Sequence, residues 1–531
     1  MARTSHSSLS RRTALAALAG AAAALARPAV AQPVSTLKFI PSTDLAALDP
    51  IWTTGYVVRN HGYMVFDMLF SLDSSFKVRP QMAEGHDVTD DGKTCTIRLR
   101  EGLKFHDGVP VLARDCVASI RRWAARDGFG QTLMAATDEL AAVDDRTLRF
   151  RLKAPFPLLP DALGKMSGPV PFMMPERLAL TDPNQQIKEA VGSGPFRFLV
   201  GEWRQGAGAA YARFDGYVPR NEKPDGLAGG KVVNVQRVQW HTMADNSTAM
   251  SAMRTGEMDW LEIPAPDLLP LVARQRGYTI APLDPVGIYS LMRFNSLVPP
   301  FDDVAVRRAV LRAVNQADYL QAMAGDAKLY SECKAFFPCG TPFSTGTGSA
   351  IMDGRLDEAR AMLKASSYDG RKVVILASAD QPLLSPLGEV TADLLKRLGM
   401  QVDLVTMDWG SLLARRASQK PAEEGGWNIF HTTGAAAEFM SPASHVALRG
   451  TGRAGWSGWP TDARLEELRT AWFAATGEAA QKQAAAAMEQ RAFETAPYVP
   501  LGQIRQPTLY RNVVTDVLQA SGPVFWNLRK A

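Results

Sequence analysis

The segment "QMAEGHDVTDDGKTCTIRLREGLKFHDGVPVLARDCVASI", residues 81–120, has the pattern that decides the fold of this chain. The alternation of polar and apolar residues in "TCTIRLR" predicts a β-strand. The Glu-Gly and Asp-Gly pairs predict tight turns on either side of an extended "LKFH". Asp115 falls in the first turn of the helix that follows, where a carboxylate is favoured by the helix dipole. The segment therefore combines strand, turns and helix.

The same segment brings His106, Asp107 and Asp115 together in a chain with only 7 histidines, which raises the question of an active site. Each of the three has a structural role in a turn or a helix start, and no nucleophile or metal partner accompanies them. The chain has no G-x-S-x-G, no complete dinucleotide-binding glycine loop, no P-loop and no H-E-x-x-H. We therefore predict a protein that is not an enzyme and that has no cofactor.

The length of 531 residues exceeds a single core and predicts two or three domains. The chain is 46% hydrophobic and 21% charged, as expected of a soluble globular protein. Its formal charge of +5 comes mostly from four arginines in the first 31 residues, which contain no Asp or Glu. The rest is nearly neutral, so nothing in the charge indicates a nucleic-acid partner.

Residues 1–31 have the pattern of an export signal, with a basic start, an apolar run and A-x-A before Gln32. The pair Arg11-Arg12 resembles the twin-arginine signal, and an ordinary signal peptide with two arginines is the alternative. No later stretch reaches the about 18 uninterrupted apolar residues of a membrane span. We expect a mature protein that is periplasmic and soluble.

The 4 cysteines predict one disulfide. In an oxidising compartment Cys333 and Cys339 can close the short loop "CKAFFPC". Two cysteines without a nearby histidine are weak evidence for a metal site, so none is predicted. Cys95, in a predicted strand, and Cys116, in a predicted helix, are expected to be small buried apolar side chains.

Strands and helices alternate along the chain, which predicts an α/β fold. "TLRFRL" and "KVVILAS" are typical strands, and "KRLGMQVDLVTMDW" predicts a helix, a glycine stop and a strand. Residues 302–325 have helical spacing throughout, with Asp302 or Asp303 as N-cap and Gly325 as the end. This run is expected to be helical from one cap to the other.

Residues 81–120 resemble the signature region of the family 5 extracellular solute-binding proteins of ABC importers, the peptide, nickel and opine class. The shared features are an Ala-Glu pair, a D-D-G turn, R-x-G-x-x-F-H-D-G and a helix carrying Asp. "GSGPFRF", "MSAMRTGEMDWLE", "FNSLVPPFDDVAVRRAVLRAVNQ" and "PYVPLGQ" resemble further family motifs in the same order. One departure is Leu112, where the family usually places a capping Thr.

The resemblance implies a periplasmic-binding-protein-like two-lobed fold of the α/β class, with three domains and a ligand cleft between the lobes. Domain I would consist of residues 32–67, 191–286 and 497–531. Domain II, residues 68–190, would hold the signature away from the ligand. Domain III would be residues 287–496. Ligand would bind between domains I and III of a monomer, and closure would make the complex recognisable to an ABC permease.

The family's usual charge anchors are missing from their expected places. Peptide-binding members hold the ligand ammonium with an Asp after T-G, whereas Thr433-Gly434 is followed here by Ala435. The Arg that dipeptide binders place before the helix "SPLGEVTADLL" is also absent. Glu438 is either a replacement cation partner or a solvent-facing loop carboxylate, and the sequence leaves both readings open.

Aromatic and small polar residues complete the predicted ligand site, since aromatic platforms suit apolar or ring-bearing solutes. A residue of this kind is more often part of the core than of a ligand site. The candidates are Trp52, Tyr56, Tyr289, Asn295, Trp409, Trp427, Phe439, Trp456 and Trp459.

The resemblance implies capture of a peptide or peptide-like solute and its delivery to an ABC-type permease. The alternative is the same role for a non-peptide solute, such as an opine, a saccharide or a metal chelate, because both charge anchors are missing. A secreted hydrolase is a remote alternative, since no activated nucleophile is recognisable.

Overall fold

Three sheets organise residues 35–531, the part of the chain that this computed structural model describes. The predicted export signal, residues 1–31, lies outside the described residues. We call the part built on a seven-stranded and a four-stranded sheet, residues 35–282 and 507–531, lobe 1. The part built on a six-stranded sheet, residues 288–504, is lobe 2.

The seven-stranded sheet is mixed. Its central strand Thr36–Ile40 pairs in parallel with two strands, and the outer pairs are antiparallel. The C-terminal strand Pro507–Arg511 lies between two strands that precede it in sequence. The spatial order is Phe196–Phe198, Gly208–Arg213, Arg237–His241, Thr36–Ile40, Trp260–Leu261, Pro507–Arg511 and Tyr278–Pro282.

The six-stranded sheet forms the core of lobe 2. Its parallel pair Lys372–Ser378 and Gln401–Met407 is connected by the helix Ser385–Leu398. Gly399 ends that helix at φ +102°, which confirms the predicted helix, glycine stop and strand. The spatial order is Tyr330–Ser331, Tyr498–Ile504, Ile288–Phe294, Ile429–Ala435, Lys372–Ser378 and Gln401–Met407.

The signature segment belongs to the four-stranded antiparallel sheet and the helix packed beside it. The predicted strand covers Thr94–Leu99, and the helix covers Ala113–Arg126. Asp115 accepts a hydrogen bond from the backbone N–H of Leu112 at 2.8 Å, so the helix start is stabilised although Leu112 has no side-chain acceptor. The spatial order is Ala83–Val88, Thr94–Leu99, Thr147–Leu152 and Thr137–Ala142.

His106 joins the signature segment to the "GSG" loop. Its backbone N–H donates to Gly192 O at 2.8 Å, and its Nε2 lies 3.0 Å from Gly194 O. Burial lowers the pKa of His106 to about 4, so the imidazole is neutral at pH 7. A Cβ on Gly192 would lie 2.1 Å from Val65 O, which explains the glycine. His106 therefore has the structural role that the sequence predicts.

The remaining strands form three short antiparallel pairs, Asp67–Met68 with Phe172–Met173, Phe70–Leu72 with Val78–Pro80, and Val514–Thr515 with Arg529–Lys530. The helices are Tyr56–Val65, Ala113–Arg126, Gly128–Ala136, Leu159–Leu163, Glu176–Ala179, Asn246–Thr255, Pro270–Ala273, Val304–Ala313, Gln316–Ala324, Leu356–Lys364, Ser385–Leu398, Trp409–Arg416, Ala436–Phe439, Ala463–Ala474 and Glu478–Thr495.

The predicted continuous helical run over residues 302–325 is wrong in one respect, because it consists of two helices. Val304–Ala313 is capped by Asp303, and Gln316–Ala324 begins at a new cap, Asn315. The Asn315 side chain accepts from a backbone N–H inside the second helix, which competes with helix continuation. The spacing of apolar residues alone does not show where one helix ends and the next begins.

Two segments connect the lobes, residues 283–287 and 505–506. A Cβ on Gly287 would lie 2.2 Å from Ile504 O, so the two connections pass close to each other. Tyr498–Ile504 pairs with Ile288–Phe294, so the chain re-enters domain I later than residue 497. We propose that the chain has the three predicted domains, and that the last segment of domain I begins at residue 505 rather than at residue 497.

Candidate ligand-binding site

A cavity of about 760 Å³ lies between the two lobes. Lobe 1 contributes the loop before the helix Tyr56–Val65, the start of the helix Gly128–Ala136 and residues 165–169. Lobe 2 contributes the helix Trp409–Arg416 and the end of the strand Ile429–Ala435 with the turn of helix after it. Its volume falls in the range of small-molecule sites.

Glu438 lies in the lobe 2 wall of this cavity, on the short helix Ala436–Phe439. Its side chain is half-buried, and its Oε1 accepts a hydrogen bond from Ser167 Oγ of lobe 1 at 2.9 Å. Burial raises the pKa of Glu438 above its ordinary value, while the Ser167 hydrogen bond and the charge of Arg59 oppose the rise. The carboxyl group thus faces the cleft between the lobes.

Tyr56 makes a second contact across the cleft. The backbone N–H of Ala435 donates to Tyr56 Oη at 2.7 Å. Burial raises the pKa of the Tyr56 hydroxyl, and the neighbouring charge of Glu438 raises it further. Ala435 therefore contributes its backbone to the site, at the position where the family pattern would place a carboxylate.

Arg59 lies one helical turn after Tyr56 and is 7% exposed. Its guanidinium lies 4.7 Å from the centre of the Tyr56 ring and donates to Asn60 Oδ1 at 3.1 Å. Asn60 in turn donates to Glu262 Oε1 at 3.1 Å, so the amide bridges a cation and a carboxyl group. Burial raises the pKa of Glu262. Beside them a cavity of about 100 Å³ reaches the connection that contains Asp284.

Aromatic side chains form much of the rest of the cleft wall. Trp52 lies at its rim, 37% exposed, with the Arg126 guanidinium 5.8 Å from its ring. Trp409, Phe439 and Trp456 line the lobe 2 side. Such a wall suits a solute with apolar or ring-bearing parts.

Arg416 lies on the same wall, at the last turn of the helix that Trp409 begins. The two residues are seven positions apart, which places them on one face of the helix. Sequence reasoning missed Arg416, although this spacing after a tryptophan was a usable signal. It also missed Ser167 and Arg59, which come from distant segments and have no local signal.

The remaining predicted residues divide between the cavity wall and the core. Thr433 lines the cavity, and Gly434 is required beside it, because a Cβ there would lie 2.7 Å from Glu438 Oε2. By contrast, four predicted side chains are buried in lobe 2 and are absent from the cavity wall. They are Tyr289, Asn295, Trp427 and Trp459.

Three of these buried residues have polar partners inside lobe 2, and Trp459 packs against the Trp427 ring at 5.7 Å between centres. Tyr289 Oη donates to Ala335 O at 2.7 Å, and Asn295 Nδ2 donates to Trp427 O at 2.9 Å. The indole of Trp427 donates to Arg416 O at 3.1 Å, so it holds the end of the helix that carries Arg416. We leave these residues out of the proposed ligand contacts.

Within residues 35–531 no group of three or more His, Cys, Asp or Glu side chains is placed to hold a metal ion. His431 and His445 are buried against Thr391 and Tyr498, and burial lowers the pKa of each to about 3. Cys333 and Cys339 form a disulfide, and the two other cysteines are buried thiols. No helix of the described residues is long and apolar enough to cross a membrane.

Comparisons with solved structures identify the fold. A dipeptide binding protein from Pseudoalteromonas sp. SM9913 in complex with Met-Leu matches with a TM-score of 0.76 at 18% identity, over 93% of this chain and 100% of that one. The binding protein AgaA from A. tumefaciens R10 in complex with agropinic acid matches with a TM-score of 0.74 at 20% identity, over 93% and 99%. At these identities they show the fold alone, and they confirm the predicted two-lobed architecture.

Sequence comparisons identify the family. The pattern of the "Bacterial extracellular solute-binding proteins, family 5 Middle" matches residues 77–454. The probable peptide ABC transporter periplasmic-binding protein y4tO of Sinorhizobium fredii is 37% identical over 492 residues, which are 92% of this chain and 92% of that protein. The chain therefore belongs to the family 5 extracellular solute-binding proteins, and it is a substrate-binding protein of an ABC transporter rather than an enzyme.

Proposed function

We propose that the solute is a peptide or peptide-like molecule whose protonated amine binds Glu438. The observation that carries this proposal is the position of the Glu438 carboxyl group in the cleft wall, where it is bonded to Ser167 while Arg59 and Lys165, whose charges act on it, form no ion pair with it among the described residues. A carboxylate in this setting is destabilised by lost hydration. An ammonium group entering the cleft would restore a partner.

The names of similar proteins support a peptide as solute. The relative from Sinorhizobium fredii is described as a probable peptide ABC transporter periplasmic-binding protein, and the Pseudoalteromonas protein was solved with Met-Leu. The alternative is a non-peptide solute, which is favoured by Ala435 in place of an acid and by the agropinic acid in AgaA. Both solute classes would use the same cleft.

Blocking the ligand amine tests the proposal. Thermal unfolding of the mature protein should shift upward with a pool of di- to pentapeptides and should shift less with the same pool N-acetylated. A ligand at 100 times its Kd adds about 2.7 kcal/mol to the free energy of unfolding. Glu438→Gln should abolish the preference for free amines, while Glu467→Gln, on an exposed ion pair, should retain it. An equal response to free and acetylated peptides would contradict the proposal.

We further propose that residues 1–31 are a cleaved twin-arginine export signal. The basic pair, the apolar run and the small residues before Gln32 support it. N-terminal sequencing of the periplasmic protein should begin at about Gln32. Replacing both arginines by lysine should block export by the twin-arginine route, whereas unchanged export would indicate the general route.

We also propose that the mature protein is a monomer. The cleft is complete within the described residues, and both of its walls come from one chain. Light scattering after size exclusion should give the mass of one mature chain. A dimer mass at micromolar concentration would contradict the proposal.

A further inference from the structure

We propose that Arg416 binds an anionic group of the solute, a carboxylate, in the cavity between the lobes. This inference rests on the proposed function in one respect, namely that the solute occupies the cavity that Glu438 lines. It adds a second charged contact and thereby narrows the solute to molecules with a carboxylate as well as an amine.

The guanidinium of Arg416 is surrounded by aromatic rings rather than by acceptors. Its Cζ lies 5.7 Å from the centre of the Trp409 ring, 5.4 Å from that of Phe430 and 5.5 Å from that of Trp456. Rings at these distances attract the cation through their electron-rich faces. They hold the guanidinium in place without using its N–H donors.

Those donors have no partner within the described part of the chain. No carboxylate lies within 4 Å of the Arg416 guanidinium there, and no side-chain hydrogen bond of Arg416 is formed in residues 35–531. A guanidinium has five N–H donors in a planar fork that fits a carboxylate with two parallel hydrogen bonds. The side chain is half-buried and its donors are free of protein acceptors, so a solute carboxylate that reaches the fork gains charge-assisted hydrogen bonds without breaking an ion pair of the protein.

The other cations of the cavity wall are already engaged. Lys165 forms an ion pair with Asp127, and Arg126 Nη1 donates to Asn184 at 3.0 Å. Arg416 is thus the cation of the wall, within the described residues, that retains its hydrogen-bonding capacity for a solute. Even when Glu438 is included among the carboxyl groups, the cavity wall has more cationic side chains than carboxyl groups. This excess favours a solute with at least one negative group.

The position of Arg416 is held from outside the cavity. Trp427, buried beneath the helix end, donates to the backbone carbonyl of Arg416. Arg415, the preceding residue, points away and donates to Gly426 O at 3.0 Å. A preorganised guanidinium loses little conformational entropy on binding, so it discriminates well between a carboxylate and a neutral amide.

Matched acids and amides test the assignment. Two probe sets are titrated into the mature protein, first by thermal shift and then by calorimetry. One contains di- to pentapeptides with a free C-terminus and their C-terminal amides, and the other contains N-carboxyalkyl amino acids and their amides. We expect free acids to bind about tenfold to a hundredfold more tightly than amides. Arg416→Gln should reduce acid affinity to the level of the amide.

Two further variants separate binding from folding. Arg416→Lys keeps the charge without the fork and should give an intermediate preference for acids. Arg397→Gln removes an exposed arginine that pairs with Asp393 and should leave the preference unchanged. Thermal unfolding of each variant is also measured without solute. A variant that loses affinity but keeps its stability has lost a solute contact rather than its fold.

The outcomes distinguish this inference from the proposed function. Tight binding of peptides with equal affinity for acids and amides would support the function and overturn the role of Arg416. Binding of only the second set, with the same dependence on Arg416, would overturn the peptide proposal and support Arg416. Retention of the full acid preference by Arg416→Gln would overturn the role of Arg416, and binding of neither set would overturn both.

Discussion

Ser167 donates a hydrogen bond to Glu438 across the cleft, over 2.9 Å and 271 positions of sequence. Ser167 belongs to lobe 1 and Glu438 to lobe 2, so the bond exists only when the lobes are together. Closure of the cleft therefore fixes the position of the Glu438 carboxyl group, the candidate partner of a solute cation. Closure and recognition of the solute are thereby coupled at one carboxyl group.

Ser167→Ala should therefore weaken solute binding without unfolding the protein. A hydrogen bond to a charged group contributes about 1.5–3 kcal/mol, which corresponds to about a tenfold to 150-fold increase in Kd. Calorimetric titration of the bound solute measures the change. Ser247→Ala, at an exposed position in the helix Asn246–Thr255, is the control, and equal affinities of the two variants would refute the coupling.

The raised pKa of Glu438 predicts how Glu438→Gln affects stability with pH. Above its pKa in the folded protein, the Glu438 carboxylate is ionised in the folded and in the unfolded protein, and its burial then opposes folding. Below the ordinary pKa of 4.5 the group is protonated in the folded and in the unfolded protein, so this effect is lost. The solute-free variant should thus be more stable than the parent near pH 8. The difference should vanish as the pH falls towards about 4. Chemical unfolding across this range measures it, and a pH-independent difference would contradict the assignment.

Gly434→Ala should disturb both Glu438 and Phe439. The added methyl group would lie 2.7 Å from Glu438 Oε2 and 2.7 Å from Phe439 Cε2, so both side chains must move away from it. Overpacking of this kind costs about 1–3 kcal/mol of stability and should also raise Kd. Gly85→Ala is the matched control, because nothing lies within 4 Å of a Cβ there. Wild-type affinity of the Gly434 variant would show that Glu438 is not a contact.

Removing the disulfide should destabilise lobe 2 modestly. The bond between Cys333 and Cys339 closes a loop of only six positions, so replacing both by alanine should cost about 2 kcal/mol. Denaturant unfolding in oxidising buffer measures this cost. Reducing agent should lower the stability of the parent by a similar amount and leave the double variant unaffected, since its other cysteines, Cys95 and Cys116, are buried thiols.

The sequence predicted the structure correctly where the position of a residue depends on its neighbours in the chain. The turns and the capped helix of residues 81–120 depend on local geometry. Thr433 and Ala435 end one strand and Glu438 lies in the turn of helix after it, so chain order alone brings the three together at the cleft. Tyr289 and Asn295 were misleading candidates for a physical reason. Both faces of the strand Ile288–Phe294, which contains Tyr289 and is followed directly by Asn295, are covered, so alternation along it does not distinguish a cavity side from a core side.

The site residues that come from distant segments could not be predicted in the same way. Ser167 and Arg59 belong to two segments of lobe 1 and Arg416 to lobe 2, and Ser167 contacts the opposite lobe through Glu438. Each is common in surface loops and helix ends, and a lone occurrence indicates nothing. That Ser167 and Arg416 line one cavity, with Arg59 at the smaller cavity, is a property of the tertiary fold.

The place of the strand Pro507–Arg511 in the seven-stranded sheet has a consequence for how the molecule is made. It lies between Trp260–Leu261 and Tyr278–Pro282, and the latter strand has no other partner in the sheet. Ribosomal synthesis delivers this strand almost last, so lobe 1 stays incomplete until nearly the whole polypeptide has emerged. A chain that stops before residue 507 would leave two strand edges exposed, and it should be captured by proteases or aggregate rather than bind a solute at all.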